Sequence, residues 1–191
     1  MEEKSFYAKS REEWRTWLKQ NHSREKAVML VVPHKDSSMK GIYYETAVLE
    51  ALCFGWIDGK ANKWDSESYQ LLFTPRTPKS YWSKVNKRHI AELFEQGLME
   101  PAGIKMVELA KKTGTWNALD EIDNEVIPDD LQKHFDQNPI AFENYMNFAP
   151  SSRKMILQWI MDAKQAATRE RRITETVGLA SQNIKAHHPK K

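Results

Sequence analysis

Gly55-Trp56-Ile57-Asp58-Gly59-Lys60-Ala61-Asn62, then Trp64-Asp65-Ser66-Glu67, then Tyr69-Gln70-Leu71-Leu72-Phe73-Thr74-Pro75 decide the fold class. Tyr69, Leu71 and Phe73 alternate with Gln70, Leu72 and Thr74, the period of a strand with two unlike faces. The run Trp56–Asn62 reads as its partner, joined through the polar residues 64–67, and Pro75 and Pro78 end the second strand. Just upstream, Ala47, Val48, Ala51 and Leu52 keep a helical stripe that starts at Tyr44, and Gly55 stands where a left-handed cap is needed.

Working outward toward the N-terminus, Ala27–Val32 is a continuous, partly β-branched run closed by Pro33, which predicts a central strand covered on both faces. His34–Gly41 is polar and reads as a loop. Ser10-Arg11-Glu12-Glu13 has the form of a capping box, and Trp14, Trp17 and Leu18 then give one apolar helix face. Toward the C-terminus, Ser83–Gln96 predicts a helix with Ile90, Leu93 and Phe94 inward and Gly97 as its stop. Pro101 opens another helix, ended at Gly114. Thr115–Pro128 has no clean period. From Asp129 the pattern is helical throughout: Asn138-Pro139 starts one helix, Pro150 breaks before Ser151 caps the next, and Ile173, Val177 and Ala180 line a last one. His187–Lys191 reads as a frayed basic tail.

The sum is an α+β chain: a small antiparallel or mixed sheet with helices over residues 1–114, a connection at 115–128, and an all-helical portion at 129–191, either as two portions or as one compact unit. Strands come early and helices late, which argues against alternating α/β winding.

With 40% hydrophobic and 29% charged residues the composition is that of a folded globular protein and excludes a disordered one. A net charge of +3 is too small to require a nucleic-acid partner, so local clustering matters more. One cysteine, Cys53, excludes an internal disulfide and a cysteine-based zinc site. Met1–Ser5 is acidic and polar, unlike a signal peptide, and no apolar segment approaches membrane-spanning length, so the expectation is a cytoplasmic protein without membrane insertion. No dinucleotide, phosphate-loop, serine-hydrolase or zinc-protease motif is present; neither a cofactor nor a metal is expected, and no catalytic residue is assigned.

The informative cluster is basic and aromatic. No acidic residue occurs between Ser68 and Ala91, while Arg76, Lys79, Lys84, Lys87 and Arg88 fall inside that interval with His89 beside them. If Ser83 opens a helix, its unpaired N–H groups meet Arg76 arriving from the preceding strand, a geometry that favours phosphate or carboxylate. The same charges also suit the solvated face of a surface helix capped by Ser80 and Ser83. Trp56, Trp64, Tyr81 and Trp82 read either as stacking platforms or as core. Asp58 is a carboxylate placed to pair with Arg76 across neighbouring strands. In the C-terminal portion, Trp159–Lys164 followed by Thr168–Ile173 joins an apolar stripe to a basic flank, with Arg169 and Arg172 as candidate phosphate contacts or as part of a solvated face.

Gly55-Trp56-Ile57-Asp58, Phe73-x-Pro75-Arg76, Ser80-x-Trp82-Ser83-x-x-Asn86, Gly97-x-Met99 to Gly103, and Trp159-Ile160-x-x-Ala163-Lys164 to Thr168-Arg169-x-x-Arg172-Ile173, taken in this order, resemble the YdeI/OmpD-associated family of bacterial proteins, also labelled bacteriocin-protection proteins. The resemblance implies a role in envelope stress or in protection against bacteriocins. It implies no reaction, cofactor or catalytic residue.

The residues therefore predict a module for a small anionic or nucleotide-like ligand: Arg76 as charge partner, Asp58 as its holder, Ser80, Ser83 and the N–H groups after it as donors, Trp82 as a lid and Asn86 as a specificity contact. Nucleic acid bound through Lys79, Lys84, Lys87, Arg88, Arg169 and Arg172 is the second expectation, and a protein partner in stress protection the third. An enzyme using Asp58 or Cys53 has the least support.

Overall fold

Six consecutive buried residues make β2 (Val28–Pro33) an inner strand, as its unbroken apolar run requires. The computed structural model describes residues 5–187. β2 pairs antiparallel with β4 (Ser68–Pro75), and β4 pairs antiparallel with β3 (Trp56–Lys63), so the β3–β4 hairpin forms where the sequence alternates. β1 (Ser5–Tyr7) adds in parallel to the far side of β2, giving a four-stranded mixed sheet of order β1-β2-β4-β3. Parallel pairing needs a crossover, and α1 (Arg11–Asn21) supplies it. The Ser10 hydroxyl accepts from the Glu13 N–H, while the Glu13 carboxylate reaches back to the Lys9 N–H, one residue earlier than a standard box.

The chain divides into two compact units, Met1–Ala118 and Leu119–Lys191. In the first, Trp14, Leu18, Leu30, Leu52, Trp56, Phe73 and Trp82 belong to one core. α2 (Tyr44–Cys53) ends at Gly55, whose φ of 74° confirms the left-handed cap. α3 (Lys84–Glu95) is capped by Ser83 and followed by Gly97 in the left-handed region; Ile90 and Leu93 point inward, but Phe94 is exposed, contrary to expectation. α4 (Pro101–Thr113) starts on its proline and stops at Gly114. Its Gly103 lies against the end of α2, where a Cβ would sit 2.2 Å from the Cys53 carbonyl oxygen. An ion-pair network ties three helices: Glu50, fully buried on α2, takes the exposed Arg11 at 2.5 Å and the half-buried Arg15 at 2.7 Å from α1, and Arg15 also reaches Glu100 at 2.8 Å at the start of α4.

The second unit is helical: α5 (Asp120–Asp123), α6 (Asp129–Asp136), α7 (Pro139–Asn147), α8 (Pro150–Met161) and α9 (Ala166–Ala180). Leu131, Phe135, Tyr145, Ile156, Ile160, Ile173 and Val177 form its core. Ala149, not Ser151, holds the cap position of α8, because Pro150 is itself the first helical residue. Of the expected tail, His187 stacks on Trp159 at 5.0 Å, and residues 188–191 lie outside the described residues. No helix among the described residues is long and apolar enough to cross a membrane.

Candidate functional site

Arg76 emerges from the end of β4, where its N–H donates to the Gly55 carbonyl at 2.9 Å. Its side chain is only 4% exposed. The guanidinium carbon lies 3.7 Å from the centroid of the Trp82 ring, Nη1 donates to the Tyr81 carbonyl at 3.0 Å, and Nε is buried without a hydrogen-bond partner. No carboxylate among the described residues comes within ion-pairing distance of it. Burial pushes its pKa down to about 10, and the charge of Asp58 works in the opposite direction. Stripping water from an unpaired guanidinium costs several kcal/mol. A desolvated cation–π contact returns about 2 kcal/mol and a carbonyl bond about 1 kcal/mol. The buried charge is thus incompletely compensated by its protein neighbours.

The guanidinium rests against Tyr81 and Trp82, the two residues before the Ser83 cap of α3. Ser83 Oγ accepts from the Asn86 N–H at 3.3 Å, and helix geometry leaves the Lys84 and Val85 N–H groups without intrahelical acceptors. The Asn86 side-chain amide has no hydrogen-bond partner among the described residues. The first turn of α3 contains no acid. Ser83 and Asn86 thus meet at the α3 N-terminus, and Arg76 packs on the two residues that lead into it.

Three expected roles need correction. Trp82 is 1% exposed and tilts against Trp116 at 5.1 Å, so it is the floor under Arg76 and not a lid. Asp58 does not hold Arg76. The strand register sets Asp58 opposite Phe73 while Arg76 lies opposite Gly55, and the Asp58 carboxylate instead accepts from the Tyr44 hydroxyl at 2.9 Å. Ser80 is spent on its own turn, its hydroxyl accepting from the Thr77 N–H at 3.0 Å.

Of the expected nucleic-acid contacts, Lys79 and Lys84 are exposed, Arg88 pairs with Glu92 at 3.6 Å along α3, and Lys87 lies over the Trp116 ring at 5.7 Å. Arg169 and Arg172 are occupied inside the second unit: Asp130 grips Arg169 at 2.5 and 2.9 Å, and Arg172 donates to the Trp159 carbonyl while lying over its ring. Arg172 keeps a buried Nε without a hydrogen-bond partner, while the Arg169 fork is filled by Asp130 and is not available for phosphate. The reason is tertiary, since Asp130 lies 39 residues away in sequence.

Two groups were not singled out from sequence. Tyr44 begins α2 and reaches Asp58; burial and that bond push its pKa up to about 12. His89 is buried with Nδ1 unpartnered, and only its place beside the basic run hinted at it. Trp64 is exposed and far along the hairpin from Arg76. Cys53 is fully buried; burial first and the Glu50 charge second push its thiol up to about 11, so it carries almost no thiolate at neutral pH. A cavity of about 270 Å³ lies along Phe54, Gly55, Pro75, Met106 and the candidate stacking residue Trp56, and none of Asp58, Arg76, Ser80, Trp82, Ser83 and Asn86 lines it. Among the described residues no cluster of three His, Cys, Asp or Glu is arranged to hold a metal.

Comparison with known families divides at the same region as the two cores. Residues 6–106 match the family described as a domain of unknown function, DUF8412, over more than half of the chain. The chain belongs to the DUF8412 family. Its second unit carries a further match, at residues 125–183, to the family described as Bacteriocin-protection, YdeI or OmpD-Associated. Arg76, Trp82, Ser83 and Asp58 thus lie in the DUF8412 segment, and the Trp159–Ile173 motif lies in the YdeI/OmpD-associated segment. No curated protein and no solved structure matches the chain.

Proposed function

We propose that the DUF8412 unit binds a small anionic or nucleotide-like ligand at the N-terminus of α3, with Arg76 as the charge partner, the Lys84 and Val85 N–H groups as donors and Asn86 as a contact for the rest of the ligand. The observation that carries this reading is the buried guanidinium with an unpartnered Nε and no carboxylate within reach. A cation kept at that cost, beside an acid-free helix start, suits a phosphate or carboxylate that completes its coordination. The nucleic-acid reading has less support, because Asp130 fills the Arg169 fork and Glu92 pairs with Arg88. The description of the YdeI/OmpD-associated family supports placing the binding event in protection against bacteriocins.

The test is calorimetric titration of the full chain with inorganic phosphate, pyrophosphate and mononucleotides, repeated with Arg76→Met. Replacing an incompletely paired buried charge by an apolar side chain of similar length is neutral or stabilising. The variant therefore keeps or raises its thermal midpoint while binding falls at least tenfold. Unchanged binding in a folded Arg76→Met, or no anion binding by the natural chain, defeats the reading. An affinity found only with oligonucleotides, falling steeply with salt, transfers the exposed lysines to nucleic acid.

A further inference from the structure

We propose that the cavity between α4 and the turn leading from α2 into β3 binds a small aromatic carboxylate, with Lys105 as its charge partner. This site is separate from the Arg76 site and does not rest on the anion-binding reading above. Its shape comes from the turn. Gly55, with a φ of 74°, carries the chain from α2 into β3, and α4 passes so close that a Cβ at Gly55 would lie 3.2 Å from the Ala102 carbonyl oxygen. Phe54, Trp56, Pro75, Met106 and Leu109 form apolar walls around a volume of about 270 Å³. A dry apolar cavity of about 150 Å³ already holds benzene, so this space accepts one ring and a substituent.

The polar groups on these walls select the charge of the ligand. Trp56 donates its indole N–H to the His22 carbonyl at 3.2 Å, and the Gly55 carbonyl is taken by the Arg76 N–H at 2.9 Å. His22 is held by Nδ1–H donation to the Leu18 carbonyl at 2.9 Å and packs on Phe54 at 5.3 Å between ring centroids, which leaves Nε2 for a ligand. Lys105 has no ion-pair partner among the described residues, and no carboxylate lines the cavity. Apolar walls with an unopposed ammonium and one spare imidazole nitrogen suit an aromatic body with a single negative end. A cationic ligand would meet Lys105 with nothing to offset the repulsion. Phosphate would lose its water to apolar walls that return few hydrogen bonds. Phe54 and Trp56 offer ring contacts, and Met106 a soft thioether that packs well against an aromatic edge.

The experiment titrates the full chain with benzoate, benzamide and benzylamine by calorimetry and follows the Met106 methyl group by NMR. The three probes share a ring and differ in charge. Benzoate should bind about tenfold more tightly than benzamide, the worth of one charge-assisted hydrogen bond, and benzylamine more weakly than either. Lys105 is exposed, so Lys105→Met keeps the fold; it should bring benzoate down to the affinity of benzamide and leave benzamide unchanged. The Met106 methyl signal, assigned through Met106→Leu, should move as benzoate is added, in the natural protein and in Arg76→Met alike. No saturable binding of benzoate, equal affinities for benzoate and benzamide, a benzoate affinity untouched by Lys105→Met, or a Met106 signal that stays still each overturns the proposal. Benzoate binding lost in Arg76→Met would place the probe at the Arg76 site and overturn it as well. Failure of inorganic phosphate to bind defeats only the Arg76 reading.

Discussion

Cys53 shows at the residue scale how burial alone sets chemistry. Its thiol sits at the end of α2 with a pKa raised from 9.0 to about 11, by burial first and the Glu50 carboxylate second. Between these values the unfolded chain gives up a proton that the native chain keeps, so the native state binds more protons and stability falls as pH rises through that window. The loss amounts to about 2–3 kcal/mol by the upper end. Urea titrations stepped from neutral pH to about pH 11 should show this decline, and Cys53→Ala should flatten its first part, leaving the later fall from tyrosines such as Tyr44. An equal decline in the variant would locate the loss elsewhere. The inertness of Cys53 was legible in sequence, because it lies in an apolar helix end. The basic run around Arg76 was legible too, through the absence of acids from Ser68 to Ala91. The partners of both Arg76 and Asp58 were not. Across a hairpin the register decides which side chains meet, and the shift between Asp58 and Ala61 is invisible to alternation. Tyr44 reaches Asp58 only because α2 lies against that hairpin.

At the scale of elements, α4 approaches the end of α2 closely at Gly103. The Gly103 backbone is so near Cys53 that a Cβ would meet a carbonyl oxygen at 2.2 Å and its carbon at 2.7 Å. A backbone carbonyl cannot swing away as a flexible side-chain tip can. Gly103→Ala must therefore displace one helix, at a cost of about 1–3 kcal/mol or more, despite the higher helix propensity of alanine. Chemical denaturation should report a lower midpoint with an unchanged slope; a stabilised variant would mean that α4 shifts freely. Helix starts and stops were the most legible elements, since Ser10, Gly55, Ser83, Gly97, Pro101 and Gly114 each act through local backbone chemistry. β1 was not legible. Three residues carry no period, and Ser5–Tyr7 becomes a strand only because β2 offers an edge beside it. Phe94 misled for the opposite reason: its spacing suits the apolar face of α3, but Ile90 and Leu93 already fill the contact.

At the scale of the whole molecule, every residue assigned to the anion site belongs to the unit Met1–Ala118, which has its own sheet and core. Composition and period place the change from mixed to helical structure somewhere in residues 115–128 but cannot say which core claims each residue. Trp116 makes the difference concrete. It packs on the first core, its ring 5.1 Å from Trp82, the tryptophan on which the Arg76 guanidinium rests. A chain cut after Gly114, at the last recognisable helix stop, loses that ring and opens one side of Trp82 to water. A chain cut after Ala118 keeps it. Exposing an aromatic pair of this kind costs about 1.5–3 kcal/mol in burial plus about 1 kcal/mol from the ring contact. Residues 1–118 should therefore fold cooperatively and bind inorganic phosphate with the affinity of the full chain. Residues 1–114 should have a lower thermal midpoint and weaker binding, because the floor under the guanidinium is no longer fixed. Residues 119–191, helical and with a separate core, should show no phosphate-dependent shift. Equal stability and binding in the two longer fragments would mean that Trp82 holds Arg76 without Trp116. Binding that survives only in the full chain would move part of the anion site into the YdeI/OmpD-associated unit.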